Sequence, residues 1–224
     1  MADRQEKSVL RRKAEAGRTS AAATRLVTPC KALSTALVKA VDAHVGLEAA
    51  VRKCAMRTGT LAEVLETVPD GGLLAVLEGP DEAQGVMAFD AVLLSALIER
   101  LMTGALAARP PAPRRATRTD AALVADVIDA MLRRFEAALG AGGAGRWAAG
   151  FGYASFIESP RPLALMLEDA DYRLLTLEVD LESGARAGSV MLVLPAGGAG
   201  GGASRAHGAG TAGAACEQGA EEEG

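Results

Sequence analysis

The order of apolar patterns along the chain predicts an α+β domain in which a mainly antiparallel sheet is covered by long helices. Three observations carry this reading. Apolar residues recur at three- and four-residue spacing in the stretches 29–45, 91–103 and 120–139, as amphipathic helices require. Short apolar runs bounded by Gly, Pro and Asp follow one another directly, in the manner of hairpins. Leu175, Leu177 and Val179 alternate with Thr176, Glu178 and Asp180, the pattern of an antiparallel strand with one wet face. No G-x-G-x-x-G or Walker loop stands between a strand and a helix, so a βαβ nucleotide fold is not expected.

Taken in order, Thr28 and Pro29 form a helix start, with Leu33, Leu37, Val38 and Val41 on one face. The segments 47–56 and 60–67 mix apolar and charged residues. Pro69-Asp70-Gly71-Gly72 reads as a turn into the buried strand 73–77, and Glu78-Gly79-Pro80-Asp81 as the turn to its hairpin partner, 85–89. Asp90 is placed to cap a helix carrying Val92, Leu93, Leu97, Ile98 and Leu101, which stops at Thr103-Gly104. Pro110, Pro111 and Pro113 hold the next stretch extended until Thr119 or Asp120 caps a second long helix. That helix buries Leu123, Val127, Ile128, Met131, Leu132 and Phe135 and leaves Asp126, Asp129, Arg133, Arg134 and Glu136 wet. After a glycine-rich break at 140–145, four strands are expected at 151–157, 162–167, 173–179 and 189–194, with Glu182-Ser183-Gly184 as the last linking turn.

Composition narrows the function. Half of the 224 residues are hydrophobic, enough for one buried core, but only 3% are aromatic, which leaves few rings to stack on bases or sugars. A net charge of −4, with Lys and Arg spread along the chain, supplies no field for nucleic acid or an anionic membrane. Protein partners are the expectation. Cys30, Cys54 and Cys216 show no C-x-x-C spacing and read as reduced thiols. No signal-like h-region opens the chain and no apolar run of about 20 residues interrupts it, so a cytoplasmic location is expected. Residues 1–25 read as a charged, flexible tail, 26–195 as the globular body, and 196–224 as a Gly/Ala-rich tail too poor in large apolar residues to order itself.

Candidate chemistry is sparse. His44 falls near a helix end and His207 in the tail, neither beside a Ser or Cys motif. Glu168, Asp169 and Asp171 gather at a turn that is better read as solvated than as a cation site. Arg109, Arg114, Arg115 and Arg118 form the one basic concentration of the body, suited to an acidic partner or to an ordinary linker. Met87, Met102, Met131, Met166 and Met191 are expected to fill gaps in the core, and Trp147 to pack beside the glycine-rich break. No catalytic group, cofactor or metal is expected.

Three segments carry a resemblance. GVMAFDAVLLSALIERLMTG at 85–104, RRATRTDAALVADVIDAMLRRFEAAL at 114–139 and LLTLEVDLESGARAGSVMLVLP at 174–195 resemble, in order and spacing, the middle domain of the flagellar motor switch protein family FliM. The resemblance spans 26–195 and implies a CheC-like, pseudo-symmetric α/β/α domain that packs beside neighbouring copies in the cytoplasmic C-ring. It implies a FliG-like rotor protein as partner, a FliN-like protein as a further one, and indirect membrane association through the basal body. The implied role is in motor assembly, rotation and directional switching for motility and chemotaxis. The implied FliG contact is the loop Thr103, Gly104, Ala105 and Leu106, which keeps only Gly104 of the family's Gly-Gly-x-Gly pattern. The family's acidic N-terminal docking segment is not recognisable in 1–18, and where its FliN-like domain would follow Pro195, the Gly/Ala tail stands instead.

The same fold is similar to that of the CheC and CheX phosphatases, which pair a Glu with an Asn one helical turn away. This chain has no asparagine, so the amide that would orient water is missing and a non-enzymatic role is expected. A ring component of a type III secretion system is the other alternative.

Overall fold

The computed structural model describes residues 27–69, 71–112, 114–140 and 145–197. The expected tails, with His207 and Cys216, lie outside the described residues save for Ala196 and Gly197, as do Asp70, Pro113 and residues 141–144 of the glycine-rich break.

Helix α1 (Pro29–Val45) begins as its residues require: Thr28 accepts the Lys31 N–H at 3.3 Å, Pro29 occupies the first turn, and Gly46 closes the helix in the left-handed region at φ 69°. The mixed stretch that follows forms a strand, β1 (Ala49–Thr60), and a short helix, α2 (Leu61–Thr67). β1 lies at a sheet edge, so most of its side chains face water and no apolar alternation marks it. Thr60 and Glu63 close a capping box that turns strand into helix. β2 (Leu73–Glu78) and β3 (Gln84–Phe89) form the expected hairpin, and Leu73 to Leu77 are buried on both faces because both faces of the sheet are covered here.

Helix α3 (Ala91–Thr103) starts at the Asp90 cap, and α4 (Arg118–Gly140) is the second long helix. The cap of α4 is Thr117, not Thr119 or Asp120: the Thr117 hydroxyl accepts the Asp120 N–H at 3.3 Å while the Asp120 carboxylate accepts the Thr117 N–H at 2.8 Å. An acid at the third helical position thus closes the box usually closed by Glu. Of the four strands expected after the break, three form: β4 (Gly152–Ile157), β5 (Asp171–Leu181) and β6 (Arg186–Pro195). The stretch 162–167 is instead one helical turn, α5 (Leu163–Met166). Pro162 holds φ −63° and ψ −23°, its carbonyl accepts the Met166 N–H, and Leu163 and Leu167 bury one face at helical spacing.

The six strands run antiparallel in the order β1-β5-β6-β3-β2-β4. Divided between α3 and α4, the chain repeats helix, strand, short helix, hairpin in each half. Read from either edge, the sheet then presents the first strand of one half, the hairpin of the other, the hairpin of the first, and the first strand of the other. That palindrome is a pseudo-two-fold, with β3 and β6 paired at its centre. The two hairpins even share a tight turn with left-handed non-glycine residues, Asp81 and Glu82 in one, Glu182 and Ser183 in the other.

One face of the sheet carries α1, α3 and α4 over a core built around Leu33, Leu37, Phe89, Leu97, Ile128 and Phe135. The other is covered by α2 and α5 over Val64, Leu74, Val86, Tyr172 and Leu174. Each fully buried Leu contributes about 2 kcal/mol. Trp147 packs beside the break as expected, edge-on to Phe135 at 5.7 Å, with the Arg173 guanidinium 4.9 Å from its ring. Among the described residues no helix is long and apolar enough to cross a membrane.

Two backbone junctions fix how the layers meet. The Asp90 carboxylate accepts the Leu93 N–H at 2.7 Å and also the Ser189 N–H of β6, while the Asp90 N–H donates to the Ser189 carbonyl at 3.1 Å. Gly72, at the entry to β2, lies so close to β3 that a Cβ there would stand 1.9 Å from the Phe89 carbonyl oxygen. Gly72→Ala must therefore push two backbones apart. It is expected to cost about 2 kcal/mol, read as a melting temperature lowered by roughly 5 °C; an unchanged melting curve would mean that β2 is not seated on Phe89.

Candidate functional site

The expected contact loop follows directly from how α3 ends. Gly104 takes the left-handed conformation at φ 78°, its N–H donates to the Arg100 carbonyl at 2.8 Å, and the chain turns away from the helix. The Thr103 hydroxyl lies 2.7 Å from the Glu99 carbonyl and 2.8 Å from that of Ala105, which folds the loop back on its own helix. Thr103, Gly104 and Ala105 are exposed, and Leu106 turns inward against the main core.

Charged side chains hold this loop. Arg100 donates to the Val45 carbonyl at 3.4 Å, the Gly46 carbonyl at 3.0 Å and the Gly104 carbonyl. One guanidinium thus satisfies carbonyls at the C-terminal ends of both α1 and α3, where the helix dipoles favour positive charge. Below it, the Glu99 carboxylate accepts the Ala107 N–H at 2.7 Å. Arg186 of β6, only 6% exposed, donates to the Ala107 carbonyl at 2.6 Å and to that of Ala185 at 2.9 Å. Its guanidinium is 3.7 Å from the second Glu99 oxygen, an ion-pair distance too long for a hydrogen bond, so that oxygen has no hydrogen-bond partner. The loop is consequently anchored at both ends and presents a fixed surface.

Met102 extends that surface. It was expected in the core, yet it is 68% exposed. It shares a helix face with Glu99 and Ser95, one turn and two turns back, and not with the Leu93–Leu97 stripe, so helical spacing is the signal that could have placed it. Met166 is also only half-buried, whereas Met87, Met131 and Met191 lie in the core.

The four arginines of the linker do not act together. Arg114 is committed to Asp120, with both carboxylate oxygens in reach at 2.5 and 2.7 Å. Arg115 faces a half-open cleft of about 810 Å³ whose walls include Glu66, Glu158 and Arg161, a lining of mixed sign. Arg109 and Arg118 are exposed. Other expected groups are also apart. His44 is exposed on α1, and Glu168, Asp169 and Asp171 are exposed at their turn, where the buried Tyr172 hydroxyl donates to the Glu168 carbonyl. Among the described residues no three His, Cys, Asp or Glu side chains gather as a metal site. Asp129, expected on the wet face of α4, is half-buried and accepts the Tyr153 N–H at 2.7 Å, tying edge strand β4 to the helix.

No protein-family model and no curated protein matches the sequence. Solved structures do match in shape. The middle domain of FliM (51–229) from Vibrio alginolyticus aligns with a TM-score of 0.54 at 12% identity, over 75% of this chain and 90% of that one. The fold is that of a FliM middle domain. A FliG–FliM complex from H. pylori gives 0.55 at 15% identity, over 73% of this chain and 87% of that one, and FliY from Thermotoga maritima gives 0.50 at 12%, over 74% and 84%. Identities this low carry the architecture and nothing finer.

The Asp120 carboxylate holds the junction that leads from the loop into α4. The Arg114 guanidinium, opposed by burial and aided by the Thr117 N–H and hydroxyl, lowers its pKa to about 2. A carboxylate depressed in the folded state contributes stability that is full above its unfolded pKa and is lost as pH falls through the folded one. Asp120→Ala is expected to cost about 2 kcal/mol near neutral pH. The gap between parent and variant should close between about pH 4 and about pH 2, as read by urea denaturation at several pH values; a gap independent of pH would show that the charge is not what stabilises the junction.

Proposed function

We propose that this chain is a non-enzymatic structural and interaction component of the flagellar motor switch. In this reading residues 26–195 are the switch domain. The domain sits in the cytoplasmic C-ring at the basal body, packs beside neighbouring copies, and transmits changes in orientation that bear on rotation and directional switching. The observation that carries the reading is the palindromic six-stranded sheet under three long helices, an architecture matched by FliM middle domains, one of them solved as a FliG–FliM complex. The absence of asparagine from the sequence supports a role without phosphatase chemistry.

Within that role, the contact for a FliG-like rotor protein is the loop Thr103, Gly104, Ala105 and Leu106, with Met102 as its apolar anchor. The anchoring by Arg100, Glu99 and Arg186 supports this placement, because a surface already fixed loses little entropy when a partner docks. An exposed methionine beside a small-residue loop offers an adaptable apolar contact.

The test is calorimetric titration of the full chain with the FliG-like protein encoded in the same genome. Saturable binding is expected, weakened about tenfold or more by Met102→Glu, with a melting temperature within about 1 °C of the parent's. Gly104→Arg should weaken it as well, at some cost in stability because a side chain is strained in the left-handed region. A well-folded parent chain that does not bind would overturn the partner, and binding insensitive to Met102→Glu would move the contact elsewhere.

A further inference from the structure

The proline-rich stretch between the contact loop and α4 is unused by the switch reading, and its chemistry fits a partner of its own. Arg109-Pro110-Pro111-Ala112 has little backbone freedom. The pyrrolidine rings hold φ at about −65° in Pro110 and Pro111. Arg109, Pro110 and Ala112 each precede a proline, which drives them out of the helical region and into the extended, polyproline-II region.

The stretch is tied down on both sides. At its start the Glu99 carboxylate accepts the Ala107 N–H at 2.7 Å, and the Arg186 guanidinium donates to the Ala107 carbonyl at 2.6 Å. At its end Arg114 grips the Asp120 carboxylate of α4 at 2.5 and 2.7 Å. Between these clamps residues 108–112 are all exposed, and among the described residues none of them forms a backbone hydrogen bond. Arg109 and Arg115 bracket the prolines. Among the described residues neither forms an ion pair, whereas Arg52, Lys53, Arg114 and Arg186 each have a carboxylate partner.

We infer that residues 109–112, together with Arg115, are a docking ridge for a partner protein that reads polyproline-II chains through a groove walled by aromatic rings and edged by carboxylates. At three residues per turn, Arg109 and Ala112 share one edge of the ridge, and Pro110 and Pro111 form the other two. The proline rings offer apolar surface to aromatic side chains, and their carbonyls, unpaired within the chain, accept hydrogen bonds from a groove Trp or Tyr. The unpaired guanidiniums meet the carboxylates and set the direction of docking. Because the stretch is already extended and held at both ends, docking orders little backbone. Strand addition is disfavoured here, since two adjacent prolines have no N–H to donate to a ladder. Nucleic acid is disfavoured as well, because two exposed arginines neutralise too few phosphates.

The experiment titrates the full chain into an isotope-labelled SH3 domain that binds arginine-flanked prolines, and follows the NMR signals of the aromatic residues in its groove. Saturable shifts of those signals are expected. Pro110→Ala combined with Pro111→Ala should weaken binding about tenfold or more, and Arg109→Glu combined with Arg115→Glu should do the same. All four side chains are exposed, so melting temperatures should stay within about 2 °C of the parent's. Leu165→Ser, at an apolar side chain of α5 that is 92% exposed, should leave the affinity unchanged. A well-folded parent chain that does not move the groove signals would overturn the inference. So would binding that survives loss of both prolines, or that Leu165→Ser removes equally, because the contact would then be general apolar adhesion.

Discussion

The two halves of this domain are joined at the sheet centre by a short run of paired backbone between β3 and β6, and the Asp90 carboxylate is what makes that junction hold. One oxygen starts α3 by accepting the Leu93 N–H, and the other accepts the Ser189 N–H from the opposite half. A carboxylate accepting two backbone N–H groups forms strong, charge-assisted bonds, and it sets the strand, the helix and the second half in one mutual orientation. Space for it exists because residue 188 is a glycine, where a Cβ would stand 2.7 Å from one Asp90 oxygen. The direction in which α3 leaves the sheet, and with it the position of the loop at its far end, follows from this one side chain.

The elements most legible in the sequence are those whose burial is one-sided or complete. α1, α3 and α4 announce themselves by apolar spacing, and Thr28 and Asp90 by their identity at the helix starts. The β2–β3 hairpin and the alternation of Leu175, Leu177 and Val179 are as plain. β1 escaped because an edge strand with few buried side chains carries Arg52, Lys53 and Arg57 where a central strand would carry apolar residues. The stretch 162–167 misled because six residues rich in Leu fit a strand or one helical turn equally well, and Pro162 decides between them only through its own backbone angles. Sequence alone points to Thr119 or Asp120 as the cap of α4, and the reciprocal bonds that make Thr117 the cap and Asp120 its partner show only in the folded backbone.

The loop after α3 was placed by likeness in segment order, and its supports were not legible at all. Glu99 and Arg186 are far apart in sequence and come together only through the pairing of β6 with β3. Nothing local marks Arg186 as a buried residue that holds a remote carbonyl. Such long-range polar clamps depend on tertiary geometry, so composition and periodicity are blind to them. They also explain how a loop of small, exposed residues can keep one shape.

Among the described residues no strand pairs with the outer side of β1, and an unguarded edge of that length would recruit strands from any neighbour. Its ladder is broken by a bulge between Val51 and Lys53. Arg52 is drawn to Asp180 and Lys53 to Glu178 of β5, so both positive charges lean over the β1–β5 pair and keep this part of the edge strand polar. An added strand would therefore meet an irregular, charge-bearing edge in place of a flat apolar ladder.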